Sequence, residues 1–117
     1  MIVIKRIHHP PDPNDGLRVL VDQVWPRGLR KERVRVDEWR KGLAPSNALR
    51  KWFGHVPRRW EEFKWRYPKE LETRGKMDEV QKLADEAKRE TITLLFGAGD
   101  EAHNNAVVLK EIIERLS

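Results

Sequence analysis

Residues 91 to 116 constrain this chain more than any other stretch. Thr91 to Phe96 is β-branched and apolar with no polar alternation, which suits a strand covered on both faces. Gly97-Ala98-Gly99-Asp100 then makes a loop, and Ala102, Ala106, Leu109, Ile113 and Leu116 recur at helical spacing. A covered strand, a glycine loop and an amphipathic helix form a β-loop-α unit, and such a unit needs a sheet with helices packed on it.

The rest of the chain supplies that sheet and those helices. Ile2-Val3-Ile4 opens an apolar β run reaching Ile7, which the turn chemistry of Pro10 to Gly16 stops. Leu17 to Trp25 reads as a second strand, with Val19, Leu20 and Val21 consecutive, ended by Pro26 and Gly28. Asp37 and Ser46 stand where helix N-caps belong, and Leu49, Trp52 and Phe53 form a short stripe that Gly54 terminates. Pro57 suits a first helical turn, Trp60, Phe63, Tyr67 and Leu71 recur on one side of the next helix, and Pro68 should bend or shorten it. Met77, Val80, Leu83, Ala84 and Ala87 mark another amphipathic helix, with Lys88 and Arg89 opposing its dipole. The expectation is one α/β domain: a small parallel or mixed sheet of three to four strands covered by helices, the fourth strand being hidden.

Composition narrows the function classes. A chain of 117 residues buries one core, not two. No long apolar run and no leader-like segment is visible, so a cytoplasmic protein without membrane contact is expected. Cysteine is absent, which removes disulfides, thiolate nucleophiles and Cys-ligated metals. Charged residues make up 37% of the chain, a density of potential ion pairs of the kind enriched in heat-adapted proteins. The net charge of +5 is uneven: residues 27 to 69 carry 14 Lys/Arg against 5 Asp/Glu, a local +9 against −4 elsewhere. Such a segment attracts phosphate-bearing partners, and it also reads as ordinary solvated surface.

Ligands of open α/β sheets bind beyond the carboxyl ends of the strands, which directs attention to residues 22 to 28 and 97 to 104. In the second segment Gly97 and Gly99 let a ligand approach the backbone, and the helix behind them, with Asn104 at its start, offers unpaired N–H donors to an anion. Arg27, beside Trp25 and Gly28, supplies a forked, permanently charged clamp for phosphate or carboxylate. His103 is a candidate proton-transfer group, and Asp22 a candidate to orient it or act as a base. Each has a scaffold rival: Asp22 can brace the loop or pair with Arg27, and His103 can be a surface residue at a helix end.

Other chemistries are poorly supported. Two spaced glycines after a strand resemble a dinucleotide fingerprint, but that needs a following strand and an acidic ribose contact, and Asp100 and Glu101 would repel a pyrophosphate. The lysine and Ser/Thr of a phosphate loop are missing. His8, His9, His55 and His103 lack zinc-site spacing, although His8-His9 beside Asp12 and Asp15 offers adventitious ligands, so neither metal nor cofactor is expected. Ser46 reads as a helix cap, and Ser117 is the last residue. Five tryptophans sit at 25, 39, 52, 60 and 65. The spacing of Trp52, Phe53, Trp60, Phe63 and Tyr67 fits packed helix faces better than base stacking, and Trp65 falls off that stripe.

The stretch Arg18 to Gly28, followed by Leu43-Ala44-Pro45-Ser46, Leu49 to Phe53, Phe63, Arg66-Tyr67, Thr93-Leu94-Leu95 and Asn104, resembles the YeaO-like branch of domain-of-unknown-function family 488 over nearly the whole chain. The resemblance implies a small α/β protein and brings no activity with it. It singles out Asp22, Trp25, Pro26, Arg27, Gly28, Ser46 and Asn104 as characteristic positions. More distant relatives often carry Cys-His-Arg near the start of the last helix, where this chain has His103-Asn104-Asn105. Pro68 also interrupts a helix that other members continue.

Three readings follow. The first is a small-anion pocket between Arg27 and residues 97 to 104, with Ser46 nearby and hydrolase or transferase chemistry by Asp22 and His103 as its catalytic extension. The second is a nucleic-acid module using Arg27, Arg30, Lys31, Arg33, Arg35, Arg58 and Arg59. The third is a partner in a larger assembly, docking through an apolar patch at Trp39 or Trp65.

Overall fold

The computed structural model describes residues 1–116; Ser117 lies outside them. Four strands form one parallel sheet in the order β1-β4-β2-β3. They are β1 (Ile2–Arg6), β2 (Leu17–Leu20), β3 (Glu38–Trp39) and β4 (Ile92–Phe96). The four helices are α1 (Asn47–Phe53), α2 (Trp60–Thr73), α3 (Met77–Ala87) and α4 (Asn105–Arg115). This is the expected α/β class, with the sheet wholly parallel. No helix among the described residues is long and apolar enough to cross a membrane.

β4 is central, pairing with β1 from Ile2↔Ile92 to Arg6↔Phe96 and with β2 from Leu17↔Ile92 to Leu20↔Leu95. All five of its residues are buried, so its unbroken apolar run follows from its position. The two faces differ in what covers them. Val19, Val21, Ile92, Leu94 and Phe96 pack against residues of all four helices. Ile7, Leu20 and Leu95 pack instead against Trp25, Leu29, Val34 and Val36 from the loop region between β2 and β3, and against Trp39 of β3. Helices therefore cover one face, and irregular chain covers the other.

That second face holds a buried ion cluster. Arg18 is wholly buried; its Nη1 donates to Asp15 Oδ2 at 2.5 Å and its Nε to the Arg35 carbonyl at 2.6 Å. Lys5 meets the other Asp15 oxygen at 2.5 Å. Thr93 Oγ1 donates to the Asp15 carbonyl, which fixes the β1–β2 crossover onto β4. Gly16 makes the turn at φ +63 against the Thr91 carbonyl, where a Cβ would come within 2.0 Å.

Several sequence expectations need correction. The second strand ends at Leu20, not Trp25, although Val21 N still donates to the Leu95 carbonyl. Beyond it the Asp22 carboxylate turns to the backbone of Gly97, which ends the extended run. Asp37 caps no helix: its carboxylate accepts from Arg18 N immediately before the two-residue β3, the hidden fourth strand. Pro68 does not shorten α2, which runs through it, because Phe63, Tyr67 and Leu71 are buried on both sides of the missing hydrogen bond. The last helix starts at Asn105, three residues after Ala102. Ser46 does cap α1, accepting from Leu49 N, and Gly54 ends it at φ +51.

Candidate functional site

The carboxyl ends of β1, β4 and β2 open into a cleft of about 450 Å³. Residues 22 to 27 form one wall, and Gly97-Ala98 with Asn104-Asn105 another. Ala44, Pro45, Arg50, Phe53, His55 and Phe63 close the helix side, with His8 at the end of β1. The 43–46 wall is stitched to α2: Tyr67 donates its hydroxyl to the Leu43 carbonyl, Arg74 Nη1 donates to the Ala44 carbonyl at 3.0 Å, and Ser46 N and Oγ both donate to Glu70 at 2.6 Å.

Asp22 sits at the centre. Its Oδ2 accepts from Gly97 N at 2.8 Å and its Oδ1 from Asn105 Nδ2 at 3.1 Å, while Asn105 also donates to the Val21 carbonyl at 2.9 Å. One side chain at the start of α4 thus joins the strand end to the helix. Burial raises the Asp22 carboxyl above its ordinary value, and the Gly97 and Asn105 hydrogen bonds with the Arg50 and His55 charges oppose that rise. Burial, assisted by Asp22 and Glu70, also pushes the Tyr67 phenol up.

The cations are arranged around this carboxylate. Arg27 lines the cleft and engages no hydrogen bond or ion pair among the described residues. Among the described residues the Arg50 guanidinium donates only to Asn47 Oδ1, at 3.2 Å. His55 reaches the cleft because it and Gly54 are consecutive left-handed residues, φ +58 and +51. His8 is held below the ordinary imidazole value by desolvation first, then by the Arg6 and His9 charges. The Trp25 indole donates to the Leu29 carbonyl, and its ring meets Trp39 edge-on at 5.7 Å.

Of the residues singled out in the sequence, Asp22, Trp25, Arg27, Gly97 and Asn104 come together in the cleft. Asn104 is buried and caps α4, accepting from Val107 N at 3.1 Å. Gly28, Ser46, Gly99 and His103 are not among the lining residues. Gly28 turns the loop at φ +79, Ser46 braces α1 on α2, and Gly99 is exposed. His103 does not meet Asp22. Its Nδ1 lies 3.0 Å from Asp100 Oδ2, and its ring stands edge-on to Trp60 at 5.1 Å. Asp22 and Arg27 form no internal pair either, since the carboxylate is held by Gly97 and Asn105. Sequence reasoning missed Arg50, His55 and Asn105 as site residues, and Gln23 fell within the segment 22 to 28 without being singled out; only Gly54 before His55 and the doubled Asn at 104 and 105 hinted at the others.

The model of the inactive DUF488-N3 subclade matches residues 1–116. The chain belongs to this family. Among similar proteins, the uncharacterized protein Rv3073c of Mycobacterium tuberculosis is 39% identical over 110 residues, covering 94% of this chain and 91% of its own. The uncharacterized protein YeaO of Escherichia coli is 38% identical over 115 residues, covering 98% of each chain. No solved structure matches significantly. The resemblance to the YeaO-like branch is therefore confirmed over nearly the whole chain, and the matching subclade is the one called inactive.

Proposed function

We propose that the cleft binds a small anion, a phosphate or a carboxylate, through Arg27 and Arg50, and that the protein works by binding rather than turnover. The observation that carries this reading is Arg27: a guanidinium lining a concave site with no acidic partner among the described residues. Two findings favour binding over catalysis. The expected proton-transfer pair is separated, His103 being committed to Asp100, and the subclade is described as inactive. Of that pair only Asp22, with its carboxyl raised by burial, lines the cleft, where His8 and His55 are the imidazoles that share it.

The test is thermal unfolding of the wild type and Arg27→Ala at fixed ionic strength, against phosphate, small carboxylates, phosphate esters and short RNA. A ligand that binds only the folded state stabilises it by about 2.7 kcal/mol at a hundredfold excess over its Kd. A shift with a small anion that disappears in Arg27→Ala is expected. Shifts with RNA alone, lost as salt rises, would transfer the function to the basic segment, and consumption of an ester would restore a catalytic role to Asp22.

A further inference from the structure

Charge alone does not describe the cleft, and its remaining features specify the kind of anion that fits. The space of about 450 Å³ lies in the range of organic-ligand sites, roughly 300–1,000 Å³, and a single phosphate or acetate would leave most of it to water. Much of the wall is apolar: Phe53 and Phe63 are buried and stacked at 4.6 Å, with Pro26, Pro45 and Ala98 beside them in the lining.

The site also holds acceptors. Asp22 accepts one hydrogen bond on each oxygen, and an ionised carboxylate has about four acceptor positions. Gln23, its neighbour in the lining, has a buried Oε1 with no hydrogen-bond donor. An unmet buried acceptor is unfavourable, and a ligand donor that the Gln23 amide turns to meet relieves that cost. A bare anion gains nothing from these groups and is repelled by an ionised Asp22.

Resting on the anion-binding reading above, we infer that the ligand is a small organic anion: an apolar or aromatic body carrying one carboxylate or phosphate for Arg27 and Arg50, and a hydroxyl or amino donor for Asp22 and Gln23. The body lies against the Phe53–Phe63 wall. The donor reads the floor of the cleft, and inorganic anions are poor ligands.

Calorimetric titration with a graded probe set tests this: inorganic phosphate against phenyl phosphate, and acetate against phenylacetate and its ortho-, meta- and para-hydroxy derivatives. The aryl anions should bind at least about tenfold more tightly than their small counterparts, and one hydroxy isomer should gain about a further tenfold. That last gain should fall to threefold or less in Asp22→Asn. Gln23→Met, which leaves the Asp22–Gly97 and Asp22–Asn105 bonds in place, should reduce the gain independently if the first variant disturbs the loop. Inorganic phosphate or acetate binding as well as the aryl anions, with Arg27→Ala still abolishing binding, would overturn the inference and spare the anion site. Aryl binding with no preference for any hydroxy isomer would likewise overturn it. No binding by any probe, in wild type and Arg27→Ala alike, would remove both.

Discussion

Asp15 and Asp22 are both acids at the sheet, and their surroundings push them in opposite directions. At Asp15 burial raises the carboxyl, but hydrogen bonds from Lys5, the Asp12 backbone and Arg18 outweigh it and hold the group down at about 2. A carboxylate more acidic in the folded chain than its ordinary value of 3.8 contributes stability that is complete above that value and is lost as pH falls towards 2. At Asp22 burial leads, so its ionised form lowers stability as pH rises past the ordinary carboxylate value, a cost a ligand donor can relieve. Asp15→Asn should lower stability at neutral pH by about 3–5 kcal/mol, because it leaves the wholly buried Arg18 guanidinium without its counter-charge. Urea unfolding from pH 7 down to about pH 2 checks both parts: the variant should start lower and lose less on acidification. Equal slopes for the two proteins would show that the ion cluster does not set the acid limb.

Two glycines one residue apart make the loop after β4, and at the level of elements they have different roles. Neither has a positive φ, so space decides. A Cβ on Gly97 would lie 3.2 Å from Asp22 Oδ2 and 3.3 Å from Pro26 Cγ, whereas at Gly99 it meets nothing within 4 Å. Gly97→Ala should therefore push the loop after β2 away from β4, costing about 1–3 kcal/mol and weakening anion binding, while Gly99→Ala should stay within about 0.5 kcal/mol of wild type. Denaturant midpoints and ligand titrations of the two variants give the comparison, and equal effects would contradict a close approach at Gly97. The sequence made both glycines look like ligand contacts because spacing cannot report which neighbour fills the space. The same limit hid β3, whose Glu38 and Trp39 have no alternation to read and exist as a strand only through pairing with Val19 and Leu20. Where the signal was local it held: Ser46 as a cap, Gly54 as a stop, and the continuous apolar run of β4.

Across the whole molecule, the concentration of positive charge between residues 27 and 69 does not become one surface, because the fold divides that segment between the two faces of the sheet. Arg30, Lys31 and Arg33 belong to the exposed chain whose Leu29, Val34 and Val36 cover Leu20 and Leu95. Arg58 and Arg59 precede α2 on the helical side, where Arg59 donates to the Trp52 carbonyl and its guanidinium stacks on the Trp52 ring with that of Arg66. Arg35 is tied to Asp37 and the Gly16 carbonyl. Trp39 is half-buried, donating to the Asp22 carbonyl with Lys41 over its ring, so only Trp65, 61% exposed, remains as a tryptophan for docking. The cleft, by contrast, gathers Arg27, Arg50 and His55 from a loop, a helix and a left-handed turn that are distant in sequence, which is why its position at the strand ends was legible and its membership was not. If anion binding belongs to the cleft, reversing charge on the covering loop and removing one cleft arginine must separate cleanly. The triple variant Arg30→Glu, Lys31→Glu, Arg33→Glu should leave affinity for phenyl phosphate within about threefold at moderate salt, because none of the three lines the cleft and exposed charges that do not touch the ligand are weakened by salt. Arg27→Ala, with a far smaller change in net charge, should lower that affinity at least about tenfold. A triple variant that loses binding as completely as Arg27→Ala would mean that the field of the basic segment, and not the cleft, holds the anion.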